Sequence, residues 1–425
     1  MVPDEPPLTA HELGEEAAAL IDELSRISAE EDKLTRLYLT PEHRNAADLV
    51  ARWMRQAGLD VREDSLGTVR GRLPSSMPAY GEKCLLIGSH IDTVIDAGKF
   101  DGALGVICAI LAARELRKRG IDLPFDIDVL AFGDEEGVRF PTTLLSSSAL
   151  AGTAPYSELD ARDANGISVA EALREFGGRP ENIQDLKEVP EKLVGYLEVH
   201  IEQGPVLERE ALPVGIVTSL AGAERHWITV QGEAGHAGTV PMDARKDAVS
   251  AAADLIVSME TAAKSARSDG VVATVGELGI HPGAVNVIPA QVKMTLDLRA
   301  ATDRPRAAAI DEIKARAARI SRKRGCPIEF DQFHEVVTSP CSEIFQDAAK
   351  RAIASMGIRP FRLMSGAGHD GQAMKALTDI GMLFVRCRKG ISHNPSEYVS
   401  IEDMGMAVEA TVRWVAEIAQ QEMKA

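Results

Sequence analysis

The sequence predicts an α/β protein with a small α+β insert, and three observations carry that prediction. Two apolar strand-like runs, 84–87 and 127–132, flank a helical stretch over 103–120. Strand, helix and strand at that spacing form a right-handed parallel crossover. Clusters of His, Asp and Glu stand just after both runs, where open α/β sheets bind their ligands. From about Pro213 to about Glu329 the pattern changes to strand, helix, strand, strand, helix, strand, which fits an antiparallel sheet covered by two helices.

The elements follow in order. Thr40-Pro41-Glu42 opens a helix: Thr40 caps it, Pro41 suits its first turn and Gly58 stops it. Leu49, Val50, Trp53, Met54 and Ala57 share one face, so this helix packs on a core. The 103–120 helix ends on the basic run Arg117-Lys118-Arg119. A strand over 196–201 delivers His200 near its end. Within the insert, 228–231, 271–278, 292–298 and 327–330 read as strands, and 243–263 and 304–324 as helices. A strand at 382–385 and a helix from Ile401 to about Gln421 restore the α/β pattern. The expected organisation is a discontinuous catalytic domain, 1–212 and 330–425, interrupted by a four-stranded insert at 213–329.

The chain has 425 residues, 45% apolar and 26% charged, and a net charge of −17. That charge disfavours nucleic acid and anionic membranes as partners, while a local cationic site still admits a small anionic substrate. Five cysteines without a Cys-x-x-Cys pair argue against a disulfide framework or zinc knuckle and fit a reducing cytoplasm. No run of about 18 apolar residues predicts a membrane span. The acidic, proline-rich start, Met1 to Pro7, lacks the features of a secretory signal.

The chemistry concentrates in Gly88-Ser89-His90-Ile91-Asp92-Thr93, Phe100-Asp101-Gly102 and Glu135-Glu136. His90 and Asp92 alternate along extended chain, one to bind a ligand and one to orient it; a surface loop with a capping aspartate is the plain alternative. Asp101 before Gly102 is commonly a turn residue, but a histidine so near favours a bridging carboxylate. Adjacent glutamates at a strand end repel, which fits either a solvated pair of loop acids or one bound to metal and one free to take a proton from water. His200 and His393 complete a set for two divalent metals and a base. His236 lies in the small-residue turn Ala234-Gly235-His236-Ala237-Gly238; it reads as a core histidine, against which the small neighbours argue, or as an exposed imidazole able to stabilise an oxyanion. Asn286 reads as a turn residue or a ligand contact, and Arg299 as a surface cation or a bidentate carboxylate binder.

In this order the segments resemble the amidase/hydantoinase/carbamoylase branch of the M20 metallopeptidase-like family. The resemblance runs from about Thr35 to the C-terminal helix. It rests on the motifs above together with Glu198-Val199-His200-Ile201-Glu202-Gln203-Gly204, Asn286-Val287-Ile288-Pro289, Ser365-Gly366-Ala367-Gly368-His369-Asp370 and Gly390-Ile391-Ser392-His393-Asn394-Pro395. It implies an M20-type two-domain fold whose insert is a lid and a homodimer interface. It implies two divalent metals, Zn²⁺ or Mn²⁺ with Co²⁺ or Ni²⁺ also suitable. His90, Asp101 and His200 would hold one, and Asp101, Glu136 and His393 the other. Glu135 becomes the general base and Asp92 the orienter of His90. His236 steadies the oxyanion, and Gln203, Asn286, Arg299, Gly368 and His369 bind substrate. His200, where the wider family's peptidases usually carry a carboxylate, points to the amidohydrolase branch.

The implied substrate is a small ureido acid. Allantoate leads on the spelling of the 365–370 and 391–395 segments, N-carbamoyl-L-amino acids come second and 3-ureidopropionate third. Dipeptidase or aminoacylase activity fits less well, and a non-catalytic binding homologue would have lost a ligand or the base. Ser146-Ser147-Ser148 and Gly67-Thr68 depart from the family's frequent Gly-Ser-Arg and Gly-Asn without touching the metal ligands.

Overall fold

A computed structural model describes residues 7–80 and 82–424; most of the acidic N-terminal start lies outside the described residues. The chain divides into two units, Met1–Thr218 with Cys341–Leu363 and Gly368–Ala425, and Ser219–Pro340 with Met364–Ala367. The insert expected at 213–329 therefore starts and ends later. Val214–Leu220 is the reason at the first boundary, because Val214 to Ile216 pair with the strand Ile380–Val385 and hold the chain in the first unit's sheet.

That sheet is mixed. Its strands lie in the order Asp60–Glu63, Val69–Leu73, Asp126–Phe132, Cys84–His90, Leu193–Ile201, Ile380–Val385, Val214–Leu220. Cys84–His90 runs parallel to both its neighbours, with His90 level with Phe132, and Ile380–Val385 runs parallel to Leu193–Ile201, with Phe384 level with His200. Both faces of these central strands are buried, which is why they read as continuous apolar runs. The crossover helix Ala103–Lys118 is buried almost all round. The helix Ala10–Ser25, capped by a Thr9–Glu12 capping box, joins the same core through Leu13, Ala17, Ile21 and Leu24.

The second unit is an antiparallel sheet in the order Leu278–His281, Gln291–Ala300, Gly222–Gln231, Ile328–Val336. A fifth short strand, Val272–Thr274, pairs with Asp297 to Arg299. The single strand expected over 271–278 is thus two, both laid against Gln291–Ala300. The expected 243–263 helix begins later, at Ala248, where Asp247 caps it by accepting from Val249 N (2.9 Å) and Ser250 N (3.1 Å). Ala248–Ser265 and Asp303–Arg324 cover one sheet face, with Ile228, Val230, Leu255, Met294, Leu296 and Ile313 in the core between them.

Candidate metal centre

Three neighbouring parallel strands set the site at their carboxyl ends. Cys84–His90 ends on His90, Asp126–Phe132 leads into Asp134-Glu135-Glu136, and Leu193–Ile201 carries His200 one residue before its end. Asp101 precedes the crossover helix. Gly102 between them has φ +62°, and a Cβ there would lie 2.5 Å from the His90 ring, so glycine is required by both backbone and space. His393 (φ +52°), Gln203 (φ +54°) and Asp134 (φ +64°) also take left-handed backbone, a local strain that clusters at functional sites.

The side chains converge on Asp101. Its Oδ1 lies 2.9 Å from His200 Nε2 and 3.6 Å from His90 Nε2, and its Oδ2 lies 3.3 Å from His393 Nε2. His393 Nε2 is also 3.6 Å from Glu136 Oε2, and His90 Nε2 is 3.9 Å from Glu135 Oε2. Two donor groups, His90–Asp101–His200 and Asp101–Glu136–His393, each have their ligand atoms within 4.8 Å of one another and share Asp101. A third group joins His90, Glu135 and Glu136. Imidazole and carboxylate donors of this kind suit Zn, Mn, Co or Ni. The fit is supported by His90 Nε2, which is buried without a hydrogen-bond partner and turned toward the carboxylates.

Hydrogen bonds behind the donors set their orientation. His90 Nδ1 sits 3.1 Å from the Asp92 carbonyl and 3.3 Å from its Oδ1. The two Asp92 carboxylate oxygens accept from Glu135 N (3.3 Å) and Glu136 N (3.1 Å). His200 Nδ1 lies 2.9 Å from the Ile201 carbonyl, and a proton held there puts the ring's one lone pair on Nε2, which accepts from Gly102 N (3.3 Å). Gln203 Nε2 donates to Asp101 Oδ2 (2.8 Å) and Ser392 Oγ (3.0 Å). The buried ring of His369 packs 4.3 Å from that of His200, and Gly368 beside it is exposed.

The electrostatics are those of crowded negative charge. Burial pushes the Glu135 carboxyl well above its ordinary range, with His90 pulling against it and Glu136 adding repulsion. Burial and then Asp101 push Glu136 up to about 7. Burial works against the Asp101 charge, but His200 and His393 hold it well below the usual carboxylate range. The bond to Asp101 raises His393 to about 9.

Glu397 stands against the same cluster and was missed by sequence reading. Its Oε1 accepts from Phe100 N (2.7 Å) and Asp101 N (3.1 Å), and its Oε2 lies 3.1 Å from Ser392 Oγ, which donates to Asp101 Oδ2 (2.7 Å). A buried glutamate in the loop Asn394-Pro395-Ser396-Glu397 has no periodicity to reveal it; its place four residues after His393 was the available signal.

The remaining candidates belong to the second unit. His236 pairs across a two-residue ladder with Val287, and Ala237 N bonds the Asn286 carbonyl (2.9 Å), so His236 and Asn286 are neighbours. Gly238 N donates to His236 Nδ1 (3.0 Å). A neutral ring accepting at Nδ1 carries its proton at Nε2, as a donor to an oxyanion requires. Arg299 stands on the strand Gln291–Ala300, bonded to Asp297 and to the Gly366 carbonyl.

Comparison with known proteins agrees with this architecture. Residues 86–417 match the model of peptidase family M20/M25/M40. The chain is 43% identical over 425 residues to an allantoate deiminase of Arabidopsis thaliana, covering 93% of this chain and 80% of that protein. It is 41% identical over 389 residues to an N-carbamoyl-L-amino acid amidohydrolase of Geobacillus stearothermophilus, covering 92% and 94%. A solved hydantoinase/carbamoylase family amidase from Burkholderia ambifaria superposes with a TM-score of 0.88 at 30% identity, covering 96% of this chain and 97% of that one.

Proposed function

The chain belongs to peptidase family M20/M25/M40, and on that premise we propose that it is a metal-dependent amidohydrolase cleaving a linear C–N bond of a ureido acid. The observation that carries this reading is the sharing of Asp101 by two donor groups while Glu135 remains beside them. Two divalent ions, Zn²⁺ or Mn²⁺, would be held by His90, Asp101 and His200 and by Asp101, Glu136 and His393. When bound, such a pair polarises a carbonyl and lowers the pKa of the attacking water. Glu135 takes that water's proton and passes it to the leaving nitrogen. Asp92 fixes the His90 ring and the backbone that presents Glu135.

His236 steadies the oxyanion through Nε2–H, Asn286 and Gln203 contact the ureido group, Gly368 and His369 line the pocket, and Arg299 takes the carboxylate. The second unit also forms the interface of a two-fold homodimer. All five cysteines are free and buried, which suits a reducing, cytoplasmic setting. No helix among the described residues is long and apolar enough to cross a membrane.

Allantoate is the leading substrate, and the Arabidopsis thaliana relative supports it. The Geobacillus stearothermophilus relative favours an N-carbamoyl-L-amino acid as the second reading, with 3-ureidopropionate third. Ammonia release from these three classes, with the metal varied, tests the assignment. Allantoate should give the highest kcat/KM. Turnover of dipeptides with none of the ureido acids cleaved would remove the amidohydrolase reading.

A further inference from the structure

The sheet face of the second unit that turns away from its helices carries a charge arrangement the metal chemistry does not use. Alternate residues of Gly222–Gln231 and Gln291–Ala300 point there, and Arg225 stands directly across the ladder from Asp297. Asp297 is gripped from two sides. Arg225 Nε donates to Oδ2 (2.9 Å), while Arg299 donates through Nε to Oδ1 (2.8 Å) and through Nη2 to Oδ2 (3.0 Å). Arg299 Nη1 also donates to the Gly366 carbonyl (2.6 Å). Two guanidiniums on one carboxylate leave a local positive excess in a chain whose net charge is −17.

The donor inventory shows what that excess offers. A guanidinium has five N–H groups. Arg299 uses three, which leaves one on each terminal nitrogen, the pair that a carboxylate engages in parallel. Arg225 uses only Nε. These groups line a cavity of about 660 Å³ with Thr274, Thr295 and Phe333, and the carboxylate of Glu277 lines it too. Burial and then the Arg225 charge hold the neighbouring His334 imidazole below its ordinary value, as a cationic surrounding requires.

We propose that Arg225 and Arg299, bridged by Asp297, form a two-guanidinium subsite for the substrate's carboxylate. In it Asp297 is the positioning residue and Arg225 a second binding cation. The side-on grip fixes the plane of the Arg299 fork before substrate arrives, so less freedom is lost on binding. Asp297 also offsets the repulsion between the two guanidiniums by bonding both. A carboxylate arriving at the subsite meets two guanidiniums with N–H groups to spare, and a carboxamide of the same shape lacks the charge that strengthens those bonds. This rests on the reading that Arg299 takes the substrate carboxylate.

The test is steady-state kinetics of the metal-loaded enzyme on N-carbamoyl-L-amino acids and their carboxamides. Arg299→Met, Asp297→Asn and Arg225→Gln are compared with the unchanged protein. Arg299→Met should raise KM for the acid ~100-fold and for the amide far less. Asp297→Asn should raise it ~10-fold and Arg225→Gln several-fold, each selectively for the acid and with kcat changed far less than KM. A selective Arg299→Met with unselective Asp297→Asn and Arg225→Gln overturns the subsite and leaves the reading of Arg299 standing. An unselective Arg299→Met overturns both. Equal losses on acid and amide in Asp297→Asn mean a structural role and also overturn it. Arg225→Gln, a half-exposed position, keeps the test decisive if Asp297→Asn does not fold.

Discussion

Two buried aspartates of the first unit, Asp128 and Asp101, sit in opposite electrostatic settings. Asp128 is 1% exposed and is met by Arg72 through Nε (2.7 Å) and Nη2 (2.9 Å) and by Arg70 Nη2 (2.7 Å). Arg70 in turn holds Glu188 at 2.7 Å. Guanidiniums and carboxylates alternate through that cluster, and the charges largely cancel. Burial alone would raise the Asp128 carboxyl, but Arg72 and Arg70 hold it below its usual value. Asp101 is also buried, yet its surroundings are three imidazoles and the carboxylates of Glu135, Glu136 and Glu397. Against burial, the carboxylates raise all three imidazoles, His393 to about 9, so the negative charge here is offset only by groups that must take up a proton, whereas the Asp128 charge is offset by permanent guanidinium cations. Buried charge alone does not mark a functional site; buried charge met only by titratable side chains does.

The largest expected effect tests the titratable side of that contrast. Chelation should abolish turnover, and Mn²⁺ or Zn²⁺ should restore it, with the stripped protein melting at a lower temperature because the ions bind only the folded state. Turnover and thermal unfolding measured beside the metal content decide this; full turnover by metal-free protein would break the contrast. Next, Glu135→Gln should reduce turnover by ~10²–10⁴-fold while metal content and melting temperature hold, because the amide keeps the shape and cannot accept a proton. Near-normal turnover would shift the base to Glu136.

On the balanced side, Asp128→Asn should cost about 3 kcal/mol of stability, because the buried Arg70 keeps only Glu188 while Arg72, 40% exposed, is eased by water, with turnover per folded molecule unchanged. Denaturant unfolding measures it. Since Asp128 titrates below its ordinary value, its stabilisation is present above that value and is lost as pH falls through the lowered one; the variant should lose that part of the acid dependence. The smallest effect sharpens the comparison within the site. Glu397→Gln keeps an acceptor for Phe100 N and Asp101 N but removes a charge, and should weaken metal affinity by ~10-fold in chelator competition. An unchanged affinity would make Glu397 a part of the loop and no more.

The same contrast explains what was legible beforehand. His90, Glu136 and His200 stood out because polar residues at or just after the ends of apolar strands have few structural reasons to be there; Asp101 was read from its closeness to His90, and His393 from the family motif around it. Asp128 was not, since one aspartate in Ile127-Asp128-Val129 looks like an outward strand position until Arg70 and Arg72 are seen across the ladder. Glu397 was hidden for a related reason: its partners lie 296 and 297 residues away, and loop composition does not encode contact. The parallel core strands and the insert's alternating strand were plain from period, whereas Val272–Thr274 and Leu278–His281 were merged because Val275-Gly276-Glu277 was too short a break to read. The late start of the helix at Ala248 turned on which of several polar residues caps it, a choice that geometry makes.

Asp92 links two parts of the chemistry that a redesign would wish to treat separately. One carboxylate orients His90 and also anchors the peptide groups that present Glu135 and Glu136. A substitution there cannot retune the ion without displacing the base. A library that seeks a new metal preference or a new leaving group should therefore advance by paired changes around Asp92. Single-step searches through that position should meet a ridge of inactive variants, and the same ridge constrains how such a centre drifts over generations.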